Sequence, residues 1–213
     1  VRVVPGARSS SYLYITDERG DMQLAVNDMA VCNEISPEYL ERVLPGIQAG
    51  ALVLDTNLPV ESLEFICRSS CIPLYADPVS SVKAMKLHGV MKHLRAIKPN
   101  ALEAAALTGQ TDPELAARAL IDEGVQRVFI SLGTNGMIAA EGSRILRMPS
   151  PEANVVNATG AGDAAMSAIV WADLHGLSLE DSARAAQLAG AITCASEESN
   201  APELSRLPGL LAA

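Results

Sequence analysis

Asn157-Ala158-Thr159-Gly160-Ala161-Gly162-Asp163 is followed at once by an apolar run from Ala164 to Leu174. Glycine and alanine strip the bulk from the turn, and the run behind it reads as a buried helix. A small-residue turn that opens a helix leaves backbone N–H groups pointing outward, and the helix dipole adds partial positive charge. Such a turn is a ready anion site. Asp163 puts a carboxylate inside it, an odd placement unless that carboxylate has work to do. A phosphate held by the turn while Asp163 takes a proton from an alcohol supplies the work: phosphorylation of an alcohol by a nucleotide.

Two plainer readings use the same residues. Asp suits the first turn of any helix, and Gly-Ala-Gly can be a tight turn and no more. Gly160-Ala161-Gly162-Asp163-Ala164-Ala165 also fits the dinucleotide fingerprint G-x-G-x-x-A. That fingerprint needs a strand before it and a strand ending in an acid after it. Here the lead-in is short and polar, and the segment after the helix reads as helix again. Asn157-Ala158-Thr159 matches a glycosylation sequon, without a secretory context to support it.

Upstream of the turn, short apolar runs alternate with helical patterns. Ala51–Asp55, Ile72–Asp77, Leu94–Ile97 and Arg127–Ser131 read as buried parallel strands. Helices are expected over Ser36-Pro37-Glu38 and onward, Pro59–Ser69, Val82–Met91, Ala101–Thr108, Pro113–Glu123, Ala164–Leu174 and Leu179–Ser196, with a short tail helix near Glu203. Gly136–Ala140 and Arg144–Met148 should pair around Glu141-Gly142-Ser143. The alternation predicts an α/β sandwich on a mostly parallel sheet with right-handed crossovers. Ahead of it, Ser10–Thr16 and Met22–Val26 read as a β-hairpin turning at Asp17–Asp21, with Asn27-Asp28-Met29 closing it. Residues 1–30 are therefore a small β-appendage and 31–213 the α/β core. The chain opens at Val1 in mid-pattern without an initiator Met, so an N-terminal segment is expected to precede it.

Bulk properties narrow the partners. Of 213 residues, 49% are hydrophobic and only 3% aromatic, which predicts an aliphatic, alanine-rich core. A net charge of −9 argues against a nucleic-acid or anionic-membrane surface. No run has the length of a membrane span, and no signal peptide is visible. Cys32, Cys67, Cys71 and Cys194 form no C-x-x-C pair and share no metal spacing with His88, His93 or His175. Reduced thiols in the cytoplasm are the expectation.

Open α/β sheets bind ligands beyond the carboxyl ends of their strands. Polar residues collect there: Asp55-Thr56-Asn57, Asp77-Pro78, Lys98-Pro99-Asn100 and Ser131-Leu132-Gly133. Asn100 and Glu103 lie three apart at the start of a helix and share a face. They can hold Mg²⁺ through waters, or Asn100 can simply cap the helix while Glu103 bonds back to it. Ser131-Leu132-Gly133-Thr134-Asn135-Gly136 carries two glycines that let backbone approach a nucleotide, and no P-loop motif occurs anywhere.

Taken together these three stretches resemble the ribokinase-like, or PfkB, family of carbohydrate and nucleoside kinases. The Asn-x-Thr-Gly-Ala-Gly-Asp stretch is similar to the family's C-terminal signature, where Asp is more usual at the position of Asn157. Lys98-Pro99-Asn100 with Glu103, and Ser131-x-Gly133 with Gly136, fall in the family's order and spacing. Ser9-Ser10-Ser11-Tyr12-Leu13, Asn27-Asp28-Met29, Asp77-Pro78-Val79-Ser80 and Leu102-Glu103-Ala104 look most like its pseudouridine-kinase branch.

The resemblance implies a ribokinase-like three-layer α/β/α sandwich with a β-hairpin lid, acting on a small nucleoside or sugar. It implies Asp163 as the base, with Gly160, Ala161 and Gly162 as the anion hole. It implies ATP lined by Ser131, Gly133, Thr134, Asn135, Gly136 and Gln187, and Mg²⁺ and phosphates served by Asn100 and Glu103. Ser11, Asn27 and Asp28 would face the substrate. Asn157 and Thr159 would serve a monovalent cation such as K⁺, as in some members, and the lid would pair in a homodimer. Family members also carry a first strand and a Gly-Gly signature ahead of the hairpin; their absence here implies a fragment without much of the sugar pocket. The alternatives are a kinase of the same family for another ribosyl nucleoside or sugar, and a non-catalytic ligand-binding module of the same fold.

Overall fold

Aliphatic runs become strands where both faces can be covered, and the segments with a Ser, Asp or Asn cap become helices. The computed structural model describes residues 2–16 and 22–211. In chain order the elements are β1 (Ser11–Thr16), β2 (Met22–Asp28), α1 (Pro37–Val43), β3 (Leu52–Asp55), α2 (Val60–Ser69), β4 (Leu74–Asp77), α3 (Ser81–Ala84) and β5 (Leu94–Ile97). Then follow α4 (Ala101–Thr108), α5 (Pro113–Asp122), β6 (Arg127–Ser131), β7 (Met137–Glu141), β8 (Arg144–Met148), α6 (Ala161–Leu174), α7 (Leu179–Cys194) and α8 (Leu207–Leu211).

β3 to β8 form one six-stranded sheet whose spatial order is the sequence order. β3 through β6 are parallel, and β7 and β8 return antiparallel. Side chains alternate across it. Leu54, Ala76, Val128, Ile130, Ile138 and Ala140 pack with α1, α2, α4 and α5 on one face. Tyr75, Phe129, Met137 and Ala139 meet Ala165, Met166 and Ile169 of α6 and Leu179, Ala183 and Ala186 of α7 on the other. The result is the three-layer α/β/α sandwich, ribokinase-like in architecture. β1 and β2 pair antiparallel as a separate two-stranded sheet; the expected turn at Asp17–Asp21 lies outside the described residues.

Three local expectations are corrected. Val82–Met91 is not one helix: α3 ends at Ala84, and single 3₁₀ turns follow at Met85–Leu87 and Met91–His93. Gly89 lies between those turns, where its backbone freedom disfavours a continuous helix. Asn27 and Asp28 do not follow β2 but complete it, opposite Tyr12 and Ser11. α6 starts at Ala161, not Ala164, because Gly160 takes the left-handed conformation and turns the chain into the helix early.

α6 runs against the strands, and a buried charge cluster fixes its far end. Asp173 accepts hydrogen bonds from Arg95 Nε at 2.8 Å, Arg127 Nη1 at 3.1 Å and the Tyr75 hydroxyl at 2.5 Å. Tyr75, Arg95 and Arg127 stand at or near the amino ends of β4, β5 and β6. A register shift between β4 and β5 pairs Tyr75 with Ala96 and leaves Arg95 extra, aimed at the helix. Arg127 also donates to Glu141, Ser182 and the Leu177 carbonyl. Burial works against the charge on Asp173, but the Arg95 and Tyr75 hydrogen bonds and the two guanidinium charges outweigh it, so its carboxyl titrates below the ordinary Asp value.

Because that value is depressed on folding, the contribution is complete above the ordinary Asp pKa of 3.8 and is lost as pH falls through the lower folded value. Asp173→Asn leaves two guanidinium groups without their carboxylate and should cost ~3 kcal/mol of unfolding free energy at pH 7. Urea titrations of both proteins should converge as the pH is lowered below 3.8; a constant gap down to the acid limit would contradict the assignment.

Candidate functional site

The turn before α6 is built by three devices. Asn157 Oδ1 accepts the Thr159 N–H at 2.9 Å, a local Asx turn, while its amide donates to the Glu197 carbonyl at 3.2 Å. The Cys194 carbonyl at the end of α7 accepts the N–H groups of Val156 and Asn157. Gly160 sits at φ +87°, where a Cβ would run into the Ser199 carbonyl oxygen. Only glycine satisfies both conditions. The helix begins with no side-chain cap, and of its first N–H groups that of Ala161 donates to the Ala158 carbonyl at 3.3 Å.

That N-terminus opens into a cleft of about 790 Å³ beyond the carboxyl ends of the strands. Ala161 and Gly162 line it, with Ser131, Gly133, Thr134 and Gly136 across from them and Gln187, Gly190 and Cys194 of α7 along one wall. Ser150 to Ala153 close the rim. The volume is in the range of sites that hold drug-sized ligands. Gly136 is required where β7 leaves the turn: at φ +92° a side chain there would collide with the Met148 carbonyl. Gln187 donates to the Met148 and Pro149 carbonyls and so ties the exit of β8 to α7.

A smaller cavity of about 440 Å³ adjoins the cleft and shares Ser131 and Gly133 with it. Asn100, Leu102, Asn135 and Arg147 are on its wall. Asn100 and Glu103 form a reciprocal capping box: Asn100 Oδ1 accepts the Glu103 N–H, and Glu103 Oε2 accepts the Asn100 N–H, both at 2.9 Å. Glu103 is buried, and that burial, with Asp77 nearby, raises its carboxyl above the ordinary range despite the Asn100 N–H and the Lys98 charge. Among the described residues no three His, Cys, Asp or Glu side chains gather as a metal cage.

The structure therefore brings Ala161, Gly162, Ser131, Gly133, Thr134, Gly136 and Gln187 around one cleft, with Gly160 next to it as the residue that turns the chain into α6 and Asn100, Asn135 and Glu103 beside it. Asp163 is the third residue of α6, exposed, one position beyond the cleft-lining Gly162. Ser11, Asn27 and Asp28 are exposed on the two-stranded sheet and line neither cavity; Asp28 Oδ1 accepts the Ala30 N–H at 3.1 Å.

Two residues without an assigned role in the sequence reading belong to the site. Lys98 lines the cleft and is buried, its ammonium 3.0 Å from Asp77 Oδ2. Cys194 lines the same wall, its thiol pushed up by burial. A lysine closing an apolar parallel strand was the available signal for the first, since buried lysines are rare without a partner.

The profile of the pfkB family carbohydrate kinases matches residues 1–206. The pseudouridine kinase of Escherichia coli is 35% identical over 211 residues, covering 95% of this chain and 67% of that protein. An uncharacterized sugar kinase of the same organism is 33% identical over 209 residues, covering 94% of this chain and 58% of its own length. The ribokinase of Thermotoga maritima superposes with a TM-score of 0.83 at 20% identity, covering 96% of this chain and 70% of that one. The chain thus spans about two thirds or less of these relatives.

The two glycines of the α6 turn should separate fold from ligand. Gly160→Ala forces a side chain into a left-handed position against Ser199 and should cost ~1–3 kcal/mol. At Gly162 the φ is ordinary and the nearest atom to an added Cβ is Lys98 Nζ at 3.5 Å, so Gly162→Ala should keep or slightly raise the melting temperature. Equal destabilisation by both would contradict this account of the turn.

Proposed function

The chain belongs to the pfkB family of carbohydrate kinases, and from that premise we propose that it transfers a phosphoryl group from ATP to the 5′-hydroxyl of pseudouridine. The observation that carries the reading is the uncapped N-terminus of α6, held open into the cleft by Gly160 and flanked by Asp163. The 35% identity to a pseudouridine kinase supports the choice of acceptor.

The nucleotide lies in the cleft with Ser131, Gly133, Thr134, Asn135, Gly136 and Gln187 around it, supplying the phosphoryl group. Its terminal phosphate meets the N–H groups of Gly160, Ala161 and Gly162, where dipole and donors face the charge that develops. Asp163 takes the proton of the acceptor hydroxyl as the new bond from its oxygen to the γ-phosphorus forms and the bond from that phosphorus to the bridging oxygen breaks, releasing ADP. Phosphoryl transfer depends on alignment and charge neutralisation more than on covalent chemistry, which suits a site made mostly of backbone.

Mg²⁺ would be served by Asn100 and Glu103 through water. Their mutual hydrogen bonds leave them as outer ligands, and this ion keeps several waters and takes much of its coordination from phosphates. A monovalent cation such as K⁺ would take oxygens near Asn157 and Thr159. Ser11, Asn27 and Asp28 would approach the nucleoside from the two-stranded sheet. That sheet exposes Leu13, Ile15, Leu24 and Val26 on one face, which fits pairing with a second subunit.

Asp163→Asn should lower turnover by ~10³-fold or more while leaving the melting temperature within a few degrees, since the exposed side chain has no hydrogen-bond partner among the described residues to lose. The decisive assay is phosphate transfer from Mg-ATP to pseudouridine, uridine, adenosine, ribose and fructose, using this chain and a version extended at its N-terminus. Turnover with pseudouridine alone supports the proposal. Turnover with another acceptor alone would replace the substrate, and wild-type rates in Asp163→Asn would remove the base.

A further inference from the structure

The larger cleft runs along α7. One end lies by the α6 turn, because the Cys194 carbonyl accepts the Val156 and Asn157 N–H groups. Gln187 marks the other end, about 10 Å back along the helix, where it donates to the Met148 and Pro149 carbonyls. A nucleotide with its phosphates at the α6 turn therefore lays its base along α7, beneath the rim that follows β8.

The walls around such a base are apolar: Ala186, Gly190 and Ala191 of α7, Met137 of β7, and Pro151 and Ala153 of the rim. The polar side chains beside them are engaged with the chain itself or open to water. Gln187 Nε2 is taken by the two carbonyls, and the Ser150 hydroxyl donates to the Pro151 carbonyl at 3.3 Å. Thr134 and Glu152 are exposed. Among the described residues, the one buried side-chain nitrogen or oxygen without a partner is Arg2 Nη1, and Arg2 lines neither cavity. From Ser150 to Val155, no N–H or C=O group bonds another backbone group among the described residues.

A site reads a base by burying a donor or acceptor that the wrong base leaves unpaired. Sites of that kind reject the wrong partner by roughly 10⁴-fold or more, whereas apolar walls manage roughly 10²-fold or less. We propose that the nucleotide site does not read the base, so that other purine nucleoside triphosphates, GTP and ITP among them, bind in the same cleft and serve as phosphoryl donors. This rests on the kinase reading. With GTP the step balances in the same way: the acceptor oxygen bonds the γ-phosphorus, the bond from that phosphorus to the bridging oxygen breaks, Asp163 takes the proton and GDP leaves. Affinity comes from the triphosphate at the α6 turn and from the ring area covered, which adenine, guanine and hypoxanthine share. The groups in which the three bases differ meet water or rim backbone, and either supplies a donor or an acceptor.

Calorimetric titration of the purified chain with the Mg²⁺ complexes of ATP, GTP and ITP tests this. The three dissociation constants should lie within tenfold of one another; GTP or ITP weaker than ATP by more than tenfold would overturn the proposal. Each should also support phosphate transfer to pseudouridine or to whichever acceptor of the panel is used, and transfer from ATP alone would overturn it. Gln187→Leu should weaken ATP and GTP by the same factor, because it loosens the rim for both. A loss confined to ATP would make Gln187 a reader of adenine and sink the idea. The wild-type titrations decide the matter even if that variant does not fold. Binding of all three within tenfold, with transfer from none, would support the base-blind cleft and overturn the kinase reading and the donor role together. Binding of none would overturn both the kinase reading and this proposal.

Discussion

Asp173 holds the molecule's working geometry in place. A helix is a rigid rod, and the 14 residues of α6 span roughly 21 Å. Fixing one end by guanidinium groups from two strands and a tyrosine from a third sets the axis, and the other end must then land beyond the strands' carboxyl ends. The turn at Gly160–Asp163 owes its position to a contact at the opposite pole of the sheet. The seam between α6 and α7 is largely alanine and smooth, so it offers little to stop α6 sliding along its axis.

That same smoothness shapes the cleft. α6 and α7 meet through Ala164, Ala168, Ala172, Ala185 and Ala189, so their backbones approach closely. Gly190 continues the trend, with room for a Cβ only 3.6 Å from the Ala161 carbonyl. The alanine-rich, aromatic-poor composition is therefore the means by which α7 becomes a cleft wall. Glu103 shows an opposite economy. It serves as half of a capping box, yet burial raises its pKa, so its ionised form costs stability that a neutral cap would not.

Much of this was readable from local pattern. α4, β5, β6 and β8 have the bounds their caps and apolar runs predict. The capping-box alternative for Asn100 and Glu103 is present in the structure, and it does not exclude the proposed metal role. The turn before α6 stood out because glycine and alanine in that order have few local explanations. What escaped is non-local. Arg95, Arg127 and Asp173 look like ordinary charges in sequence, since their partners lie 46 and 78 residues away. The extra residue in β5 leaves no mark on periodicity in so short a strand. Lys98 reads only as part of a motif, because nothing local shows that its ammonium reaches α6.

The sheet's order carries a consequence for how the molecule assembles. Every strand of β3–β8 neighbours its predecessor in sequence, so each docks onto a partner already made, across a helical crossover up to β6 and a tight turn after it. One helical layer forms along with the strands. The other, α6 and α7, is synthesised after the whole sheet and must cover a finished hydrophobic face. The cleft is thus the last region to be completed. A ligand that bridges the strand ends and the first turn of α6 would stabilise that final docking by mass action, acting as a clasp on the latest-formed layer.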